Sequence, residues 1–245
     1  MSKTTGKGFK AALFILIALV CGFLFLHSSI FYLKKIEVTG NQKVSREEIV
    51  ALSGLVTGNS IFTTSKTITE RSVQIHPLVK EAIIKRHIPS TLEIQITERT
   101  VWGVIPYNDI YLMVDEEGVC IDKMTMLSVD NDLLITLDEV PVRVNLGQVI
   151  EPSAISMIRS VWEELPARHR DQISEFHYLN EEKSLLIYTI NGTEVRFGNL
   201  ERLEEKILAF GEILKLEDDL DKEGKEVLQY VDIRYKGQPV VKTGR

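Results

Sequence analysis

The sequence predicts an α+β protein with three parts: one N-terminal transmembrane helix, a small β-α-α-β-β domain, and a larger mixed β/α domain with an antiparallel-rich sheet. Three observations lead to this prediction. A long apolar run lies near the start, two helical patterns lie between alternating strands, and a series of short strands follows, separated by turn residues. This order is typical of α+β domains, in which helices pack on a sheet.

The apolar run extends over residues 11–33. Ala11 to Leu26 contain no charged side chain, and apolar residues resume at Ile30 after a short polar interruption. About 20 apolar residues are enough to cross the ~30 Å hydrocarbon core of a bilayer. The run is therefore predicted to be a single membrane span, which ties everything after it to a membrane surface.

The run has two other possible interpretations. A cleaved signal peptide would explain the basic start at Lys3, Lys7 and Lys10, but the run is long and no Ala-x-Ala site follows it. A lipoprotein anchor at Cys21 would require a small residue where Val20 stands. The pattern favours an uncleaved signal anchor.

Charge predicts the orientation and excludes one class of partner. The first 35 residues carry five of the 29 Lys and Arg residues and none of the 35 Asp and Glu residues, which leaves the rest at −11. Lysines flank both ends of the span, but a long acidic domain is translocated regardless of charge. Residues 1–10 are predicted to be a cytoplasmic tail and the rest to lie outside the cell membrane, in a periplasm or a wall zone. An acidic domain does not suit nucleic acid, and we expect it to stay off anionic headgroups.

The small domain is predicted over residues 34–100. A capping box of Ser45 and Glu48 starts a helix that Gly54 or Gly58 ends. The predicted elements are a strand from Ile36, helices over 45–58 and 65–75, and strands over 79–87 and 92–97. We expect a three-stranded sheet with both helices on one face.

The larger domain is predicted over residues 101–236, followed by a C-terminal strand and tail over 237–245. Helices are predicted over 151–165 and 200–214, and the acidic segment 217–226 is interpreted as a solvated loop. The predicted strands are 101–105, 111–114, 119–121, 133–136, 140–144, 173–179, 185–190, 194–197, 228–233 and 239–242.

No catalytic, cofactor-binding or metal-binding residues are predicted. The sequence has no phosphate-binding glycine loop or Gly-x-Ser-x-Gly motif, and its five histidines are scattered. Cys120 fits a buried structural thiol, and the acidic residues 115–117 fit a solvated hairpin turn. Glu98 and Arg99 are assigned a structural role. An enzyme is therefore not expected.

Several segments together resemble the FtsQ/DivIB family of bacterial cell-division proteins. Pro89–Arg99, with the sequence PSTLEIQITER, resembles the last strand of the family's POTRA domain, and residues 36–41 resemble its start. Tyr111–Gly118, Gly192–Gly198 and Tyr230–Tyr235 resemble successive elements of the family's β domain. The resemblance covers essentially the whole chain, in order.

The resemblance implies a non-catalytic divisome scaffold at the septum. Such a protein spans the membrane once and binds two other single-span proteins, the FtsB/DivIC-like and FtsL-like subunits. The alternatives are a POTRA-type transport or chaperone protein of the envelope and a membrane-tethered hydrolase. A single POTRA-like unit and the missing catalytic groups favour the scaffold.

The resemblance also implies a partner-binding site at the C-terminal strands. If the last strand lies at a sheet edge, its free backbone groups can accept another strand. Tyr235 is then predicted to be an aromatic anchor, Gly237 to permit close backbone approach, and Val240 and Val241 to shape side-chain pockets.

Overall fold

A computed structural model describes residues 5–126, 133–224 and 227–244. The chain divides into two compact units, one ending at Glu98 and one beginning at Arg99. Each unit has its own cluster of buried apolar side chains. This division agrees with the predicted order of a small domain followed by a larger one.

The first unit begins with helix α1, Thr5–Leu26. Within the described part of the chain, it is the one helix long and apolar enough to cross a membrane, over Phe9–Leu26. The predicted span 11–33 therefore extends beyond the helix. Phe31 and Leu33 are buried among the apolar residues that follow, because the backbone of Leu33 already bonds to Gly58 and Asn59.

The rest of the first unit is the predicted β-α-α-β-β domain. Its elements are β1 (Lys35–Thr39), α2 (Arg46–Ser53), α3 (Lys66–Val73), β2 (Val79–His87) and β3 (Thr91–Glu98). The sheet order is β1-β3-β2, with β1 parallel to β3 and β2 antiparallel to it. Ser45 caps α2 by accepting the N–H of Glu48 at 3.2 Å, and Gly54 ends it in the left-handed region.

The carboxylate of Glu98 ties the loop before α2 to the end of β3. It accepts the backbone N–H groups of Gln42, Lys43 and Val44 at 2.8, 3.0 and 2.9 Å. Burial alone would raise the pKa of Glu98, but these N–H groups outweigh it, and the pKa is lowered. The predicted structural role of Glu98 follows from this geometry.

The second unit is built on one nine-stranded sheet. Its elements are β4 (Gly103–Tyr107), β5 (Ile110–Val114), β6 (Cys120–Met124), β7 (Leu133–Leu137), α4 (Pro152–Glu164), α5 (Ala167–Arg170), β8 (Ile173–Leu179), β9 (Ser184–Thr189), β10 (Glu194–Gly198), α6 (Leu203–Glu223), β11 (Val227–Asp232) and β12 (Val240–Gly244). The strand order is β12-β11-β10-β9-β8-β7-β4-β5-β6.

Antiparallel pairs predominate in this sheet, as predicted, with parallel pairs at β4–β7, β7–β8 and β10–β11. Apolar side chains of α4 and α6, among them Ile158 and Phe210, join one core with strand residues such as Phe176 and Val195. Because side chains alternate along a strand, the neighbours of these strand residues lie on the other face of the sheet.

The predicted strand over 140–144 is wrong. No strand forms there, and Val142 is 93% exposed. The carbonyls of this segment accept side-chain donors instead: Tyr107 Oη bonds to Val142 O at 2.6 Å and Lys123 Nζ to Val144 O at 2.5 Å. The apolar composition suited a strand, but no neighbouring strand takes up its backbone groups.

The acidic segment over 217–226 is not a loop, because α6 continues through it to Glu223, before Gly224 ends the helix. Leu220 extends the apolar stripe of the helix. Glu217 is buried and accepts hydroxyl hydrogen bonds from Thr189, at 2.6 Å, and Thr193. The two threonine hydroxyls stabilise a carboxylate that the charge pattern assigned to solvent. Residues 225 and 226 lie outside the described ranges.

The prediction of a solvated turn over 115–117 is wrong for Asp115, which is buried. Its Oδ1 accepts the N–H groups of Glu117 and Val119 at 3.0 and 2.9 Å, and its Oδ2 pairs with Arg99. The side chain holds the β5–β6 hairpin from inside. Glu116 and Glu117 are exposed, as expected, and Arg99 has a structural role beside them.

Candidate partner-binding edge

Strand β12 forms one outer edge of the nine-stranded sheet. It pairs on one side with β11, with Val241 opposite Val231 and Val240 opposite Asp232. Within the described ranges no strand pairs with its other side. Every second backbone N–H and C=O group of such a strand points outward and is available to another strand.

The predicted anchor residues lie in and beside this edge. Tyr235 is 72% exposed in the turn between β11 and β12. Gly237, in the same turn, has a φ of 127° and open space around the position of a Cβ atom. This backbone conformation favours glycine over residues with a side chain.

Val240 and Val241 are both exposed on β12. By their register, Val241 shares the face of the buried Val231, and Val240 shares the opposite face with Asp232. The four predicted site residues therefore lie within one turn and one edge strand. Neighbouring valines present apolar surface on both faces of the edge.

Helix α6 lies next to this turn. The guanidinium of Arg202, just before the helix, donates to the carbonyl of Arg234 at 3.0 Å. Lys206 is buried, and its Nζ donates to the carbonyl of Asn199 at 2.8 Å. A shallow cavity separates the helix from the C-terminal segment, and its lining includes Arg202, Lys206, Tyr235, Gly237 and Pro239. The candidate surface thus continues from β12 onto the start of α6.

Cations and an aromatic ring alternate on the open face of the sheet beside β12. The guanidinium carbon of Arg196 lies 4.1 Å from the ring centroid of Tyr230, and Lys242 Nζ lies 5.8 Å from the same centroid. Such cation–π contacts hold the ring in place between the two charges. The hydrogen bond to Glu194 raises the pKa of Arg196.

Asp232 organises the turn next to this face. Its carboxylate accepts from Arg234 Nη2 at 2.7 Å and from Arg234 N at 3.0 Å. These hydrogen bonds lower the pKa of Asp232, although its burial acts in the opposite direction. The guanidinium carbon of Arg234 in turn lies 5.4 Å from the ring centroid of Tyr235. One carboxylate therefore positions the cation that contacts the predicted anchor.

The opposite edge of the sheet, at β6, is partly covered by the chain itself. Cys120 N donates to Gln148 O at 2.8 Å, and Gly147 N donates to Cys120 O at 2.7 Å. Val119 forms an isolated bridge with Val149. Segment 147–149 thus pairs with the start of β6, whereas β12 has no such cover in the described residues.

Metal ligands and a thiol nucleophile are the first groups to check for chemistry. The described residues contain no cluster of three or more His, Cys, Asp or Glu side chains that could hold a metal ion. Cys120 is buried, and burial raises the pKa of its thiol. The burial of Cys120 confirms the prediction made from its place in an apolar strand, and a thiol with a raised pKa is a poor nucleophile.

A polar cluster on β7 and β8 was not predicted. The hydroxyl of Thr136 bonds to Glu175 and, at 2.6 Å, to Nδ1 of His177. In a nucleophilic triad the histidine lies between hydroxyl and carboxylate, whereas here the hydroxyl itself bonds to both groups. The cluster is therefore a cross-strand polar network.

Sequence reasoning also missed the parts of the surface contributed by Arg202, Lys206, Tyr230 and Lys242. The sequence contains one indication of this surface. Lys206 lies four residues before Phe210 and therefore on the apolar face of α6, which is expected to be buried. Burial lowers the pKa of Lys206. Tyr230 and Lys242 lie near the edge because of strand order, and Arg202 because α6 packs beside the last turn; neither fact is contained in the local sequence pattern.

Family models match both structural units. Residues 31–99 match the POTRA domain of FtsQ type, and residues 103–234 match the C-terminal domain of the cell-division protein FtsQ/DivIB. The first match begins at Phe31, the residue whose side chain enters the core of the first unit. The prediction of a POTRA domain followed by a larger mixed-sheet domain is confirmed.

Curated relatives agree with these matches. The cell-division protein DivIB of Clostridium botulinum strain Hall is 27% identical over 232 residues, which cover 93% of this chain and 88% of that protein. The cell-division protein FtsQ of Myxococcus fulvus is 28% identical over 181 residues, which cover 71% of this chain and 61% of that protein.

A solved structure of the major extracytoplasmic domain of DivIB from Geobacillus stearothermophilus is 19% identical to this chain. The alignment covers 45% of this chain and 87% of that domain, with a TM-score of 0.29. The family assignment depends on the two domain models, which cover most of the chain in order. The chain is therefore a member of the FtsQ/DivIB family of cell-division proteins, with one apolar helix as its candidate membrane anchor.

Proposed function

We propose that this chain is a non-catalytic scaffold of the divisome that binds FtsB/DivIC-like and FtsL-like single-span proteins and promotes assembly of the septal complex. The observation that carries the proposal is the unpaired outer edge of β12, with the exposed Tyr235 beside it. A membrane-anchored division protein with such an edge can recruit a partner without any chemical step.

The proposed mechanism is addition of a partner strand to β12. Main-chain hydrogen bonds supply affinity, and side chains on alternating faces supply specificity. Val240 contacts the partner on the open face and Val241 on the face covered by the helices. Tyr235 is the anchor at one end of this strand, and Gly237 permits the partner backbone to approach the turn.

The membrane anchor increases the strength of this contact. We propose that residues 1–10 are cytoplasmic and that both folded units lie outside the membrane, at the septum. The three lysines of the tail and the net charge of −11 on the residues after Lys35 support this orientation. Partners held in the same membrane meet at a high effective concentration, so a modest edge-strand affinity suffices.

The test is the variant Tyr235→Glu, with Val142→Glu as the matched control. Both changes place a carboxylate at an exposed apolar position of the second unit, but Val142 lies outside the proposed edge. We expect Tyr235→Glu to weaken binding at least tenfold, about 1.4 kcal/mol. The readout is titration calorimetry of the detergent-solubilised chain with the extracytoplasmic segment of its FtsB/DivIC-like partner.

Unchanged affinity in Tyr235→Glu, with an intact fold, would rule out this edge as the binding site. A fluorescent fusion tests the wider proposal. Accumulation at mid-cell is expected, whereas uniform staining of the envelope would favour the transport or chaperone alternative.

A further inference from the structure

Three segments meet at one end of the first unit, next to the C-terminus of α1. Leu33 N donates to Asn59 O at 2.8 Å, and Gly58 N donates to Leu33 O at 2.9 Å. Lys34 N donates to Ser90 O at 2.8 Å. Residues 28–35, 55–66 and 85–92 therefore form one surface, which we call the basal surface, immediately after α1 ends at Leu26.

Basic residues are concentrated in the segments that form the basal surface. The three segments of the basal surface contain five lysine and arginine residues and no aspartate or glutamate. These five residues are Lys34, Lys35, Lys66, Lys85 and Arg86. The seven glutamates between residues 28 and 98 all lie outside these three segments. Two of them lie next to the basal surface: Glu37 pairs with Lys35 at 2.5 Å, and Glu93, opposite Lys85, bonds to His87 at 2.7 Å. The net charge of −11 after Lys35 predicts that the chain stays off anionic headgroups, but this charge is unevenly distributed, and the basal surface of the first unit is basic.

Apolar side chains are exposed on the same surface. Phe62 is 40% exposed and Val56 61% exposed. The loop that carries Phe62 is held in place, because Arg86 donates to the carbonyls of Ile61 and Thr64 at 2.8 and 2.6 Å. The exposed ring is therefore part of a fixed loop and cannot easily fold inward.

A row of aromatic rings connects this loop to α1. The ring centroids of Phe25 and Phe31 are 5.2 Å apart, as are those of Phe31 and Phe62. Phe62 thus lies within about 10 Å of the last turn of the apolar helix, given these two ring-to-ring distances. The 18-residue window Phe9–Leu26, in which Lys10 is the one charged residue, extends for about 27 Å, close to the ~30 Å of a hydrocarbon core. Phe25 then lies at the boundary of that core, and Phe62 at the level of the headgroups.

We propose that the basal surface docks on the outer leaflet of the bilayer, with Phe62 and Val56 at headgroup level and Lys34 and Lys66 facing anionic lipid. The bilayer is the expected binding partner because the basal surface directly follows the membrane-spanning helix and because its three segments contain no carboxylate. Docking restricts the tilt of the first unit relative to its anchor. The proposal depends on membrane anchorage and is independent of the β12 edge.

The test measures the membrane depth of spin labels on the full chain in lipid nanodiscs, without any partner. Single cysteines replace Phe62 and, separately, Val56 in a Cys21→Ala background, where Cys120 is buried. The control is Ile75→Cys, since Ile75 is 74% exposed and precedes the end of β2 that pairs with Glu98, far from α1. We expect collision with an aqueous nickel complex to be about fivefold lower at 62 and 56 than at 75, because headgroup-level sites exclude aqueous reagents.

Equal accessibility at 56, 62 and 75 would overturn the proposal. The Val56 label keeps the test valid if Phe62→Cys disturbs the unit. A second comparison uses phosphatidylglycerol against phosphatidylcholine nanodiscs. The spin label at position 56 is expected to lie deeper in phosphatidylglycerol than in phosphatidylcholine nanodiscs. The double variant Lys34→Gln, Lys66→Gln should remove that difference in depth. A difference that survives the double variant would overturn the role of these lysines.

Discussion

The two outer edges of the nine-stranded sheet differ in how many of their backbone groups have partners within the chain. At β6, segment 147–149 supplies backbone partners to Val119 and Cys120, and the buried Asp115 holds the hairpin from inside. At β12, the strand and the turn before it are exposed, and no described segment covers the outer side. The fold supplies backbone partners to the start of the β6 edge, whereas no described segment pairs with the outer side of β12.

The difference between the two edges indicates which of them binds a partner. Natural proteins protect exposed edges, because an open edge invites pairing with other chains. In this chain, segment 147–149 protects the start of the β6 edge, and no described segment protects β12. The open edge at β12 is therefore the stronger candidate for a binding surface, and the covered edge for a purely structural one.

The largest change in stability is expected from Asp115→Ala, in the β5–β6 hairpin beside the covered edge. This change removes the acceptor of two backbone N–H groups and leaves Arg99 with one carboxylate partner fewer. We expect a loss of about 3 kcal/mol in the free energy of unfolding, measured by urea denaturation of the detergent-solubilised chain. Affinity for a partner at β12 should not change under conditions where the chain is folded.

The matched control for that experiment is Glu116→Ala. Glu116 is an exposed carboxylate in the same turn, and surface substitutions usually change stability by less than about 0.5 kcal/mol. Equal losses in the two variants would contradict the structural role of Asp115.

A smaller effect is expected from proline substitutions on the open edge. Adjacent N–H groups of an edge strand point in opposite directions, so one of Val241 and Lys242 donates toward β11 and the other outward. Proline removes that donor. We expect one of Val241→Pro and Lys242→Pro to destabilise the fold, and the other to weaken partner binding at least tenfold, about 1.4 kcal/mol, without destabilisation.

Alanine at the same two positions keeps the N–H group and is the control. Urea denaturation and titration calorimetry on all four variants separate the two effects. If neither proline variant changes affinity while the fold persists, strand addition at β12 is excluded.

Much of the fold could be predicted because its signals are local. Ser45 with Glu48, the alternation over 92–97 and the apolar stripe through Phe210 each specify one element by the spacing of neighbouring residues. The prediction failed where distant partners decide. Glu217 is buried because Thr189 and Thr193 face it, and residues 140–144 are irregular because side chains bond to their carbonyls.

The candidate site shows the same limit. Its strand pair was predictable from alternation, and the four residues of the β12 edge come from a family resemblance. The contribution of Arg202 and the pairing of Tyr230 with Lys242 depend on strand order and on the approach of α6. Those are tertiary facts, which no window of neighbouring residues specifies.

A smaller, pH-dependent effect is expected from Asp232→Asn, next to the open edge. Because the pKa of Asp232 is lower in the folded chain than its ordinary value of 3.8, its stabilising contribution is complete above that value and is lost as pH falls through the folded pKa. Asp232→Asn should cost about 1 kcal/mol near neutral pH, and the difference from the parent should shrink in acid. Urea denaturation at a series of pH values measures this difference in stability, and a difference that is constant with pH would contradict the role of the charge.

Asp232 bonds to Arg234, and Arg234 contacts Tyr235. The same variant should therefore also make the position of Tyr235 at the open edge less fixed, whereas the hairpin at β6 should not change.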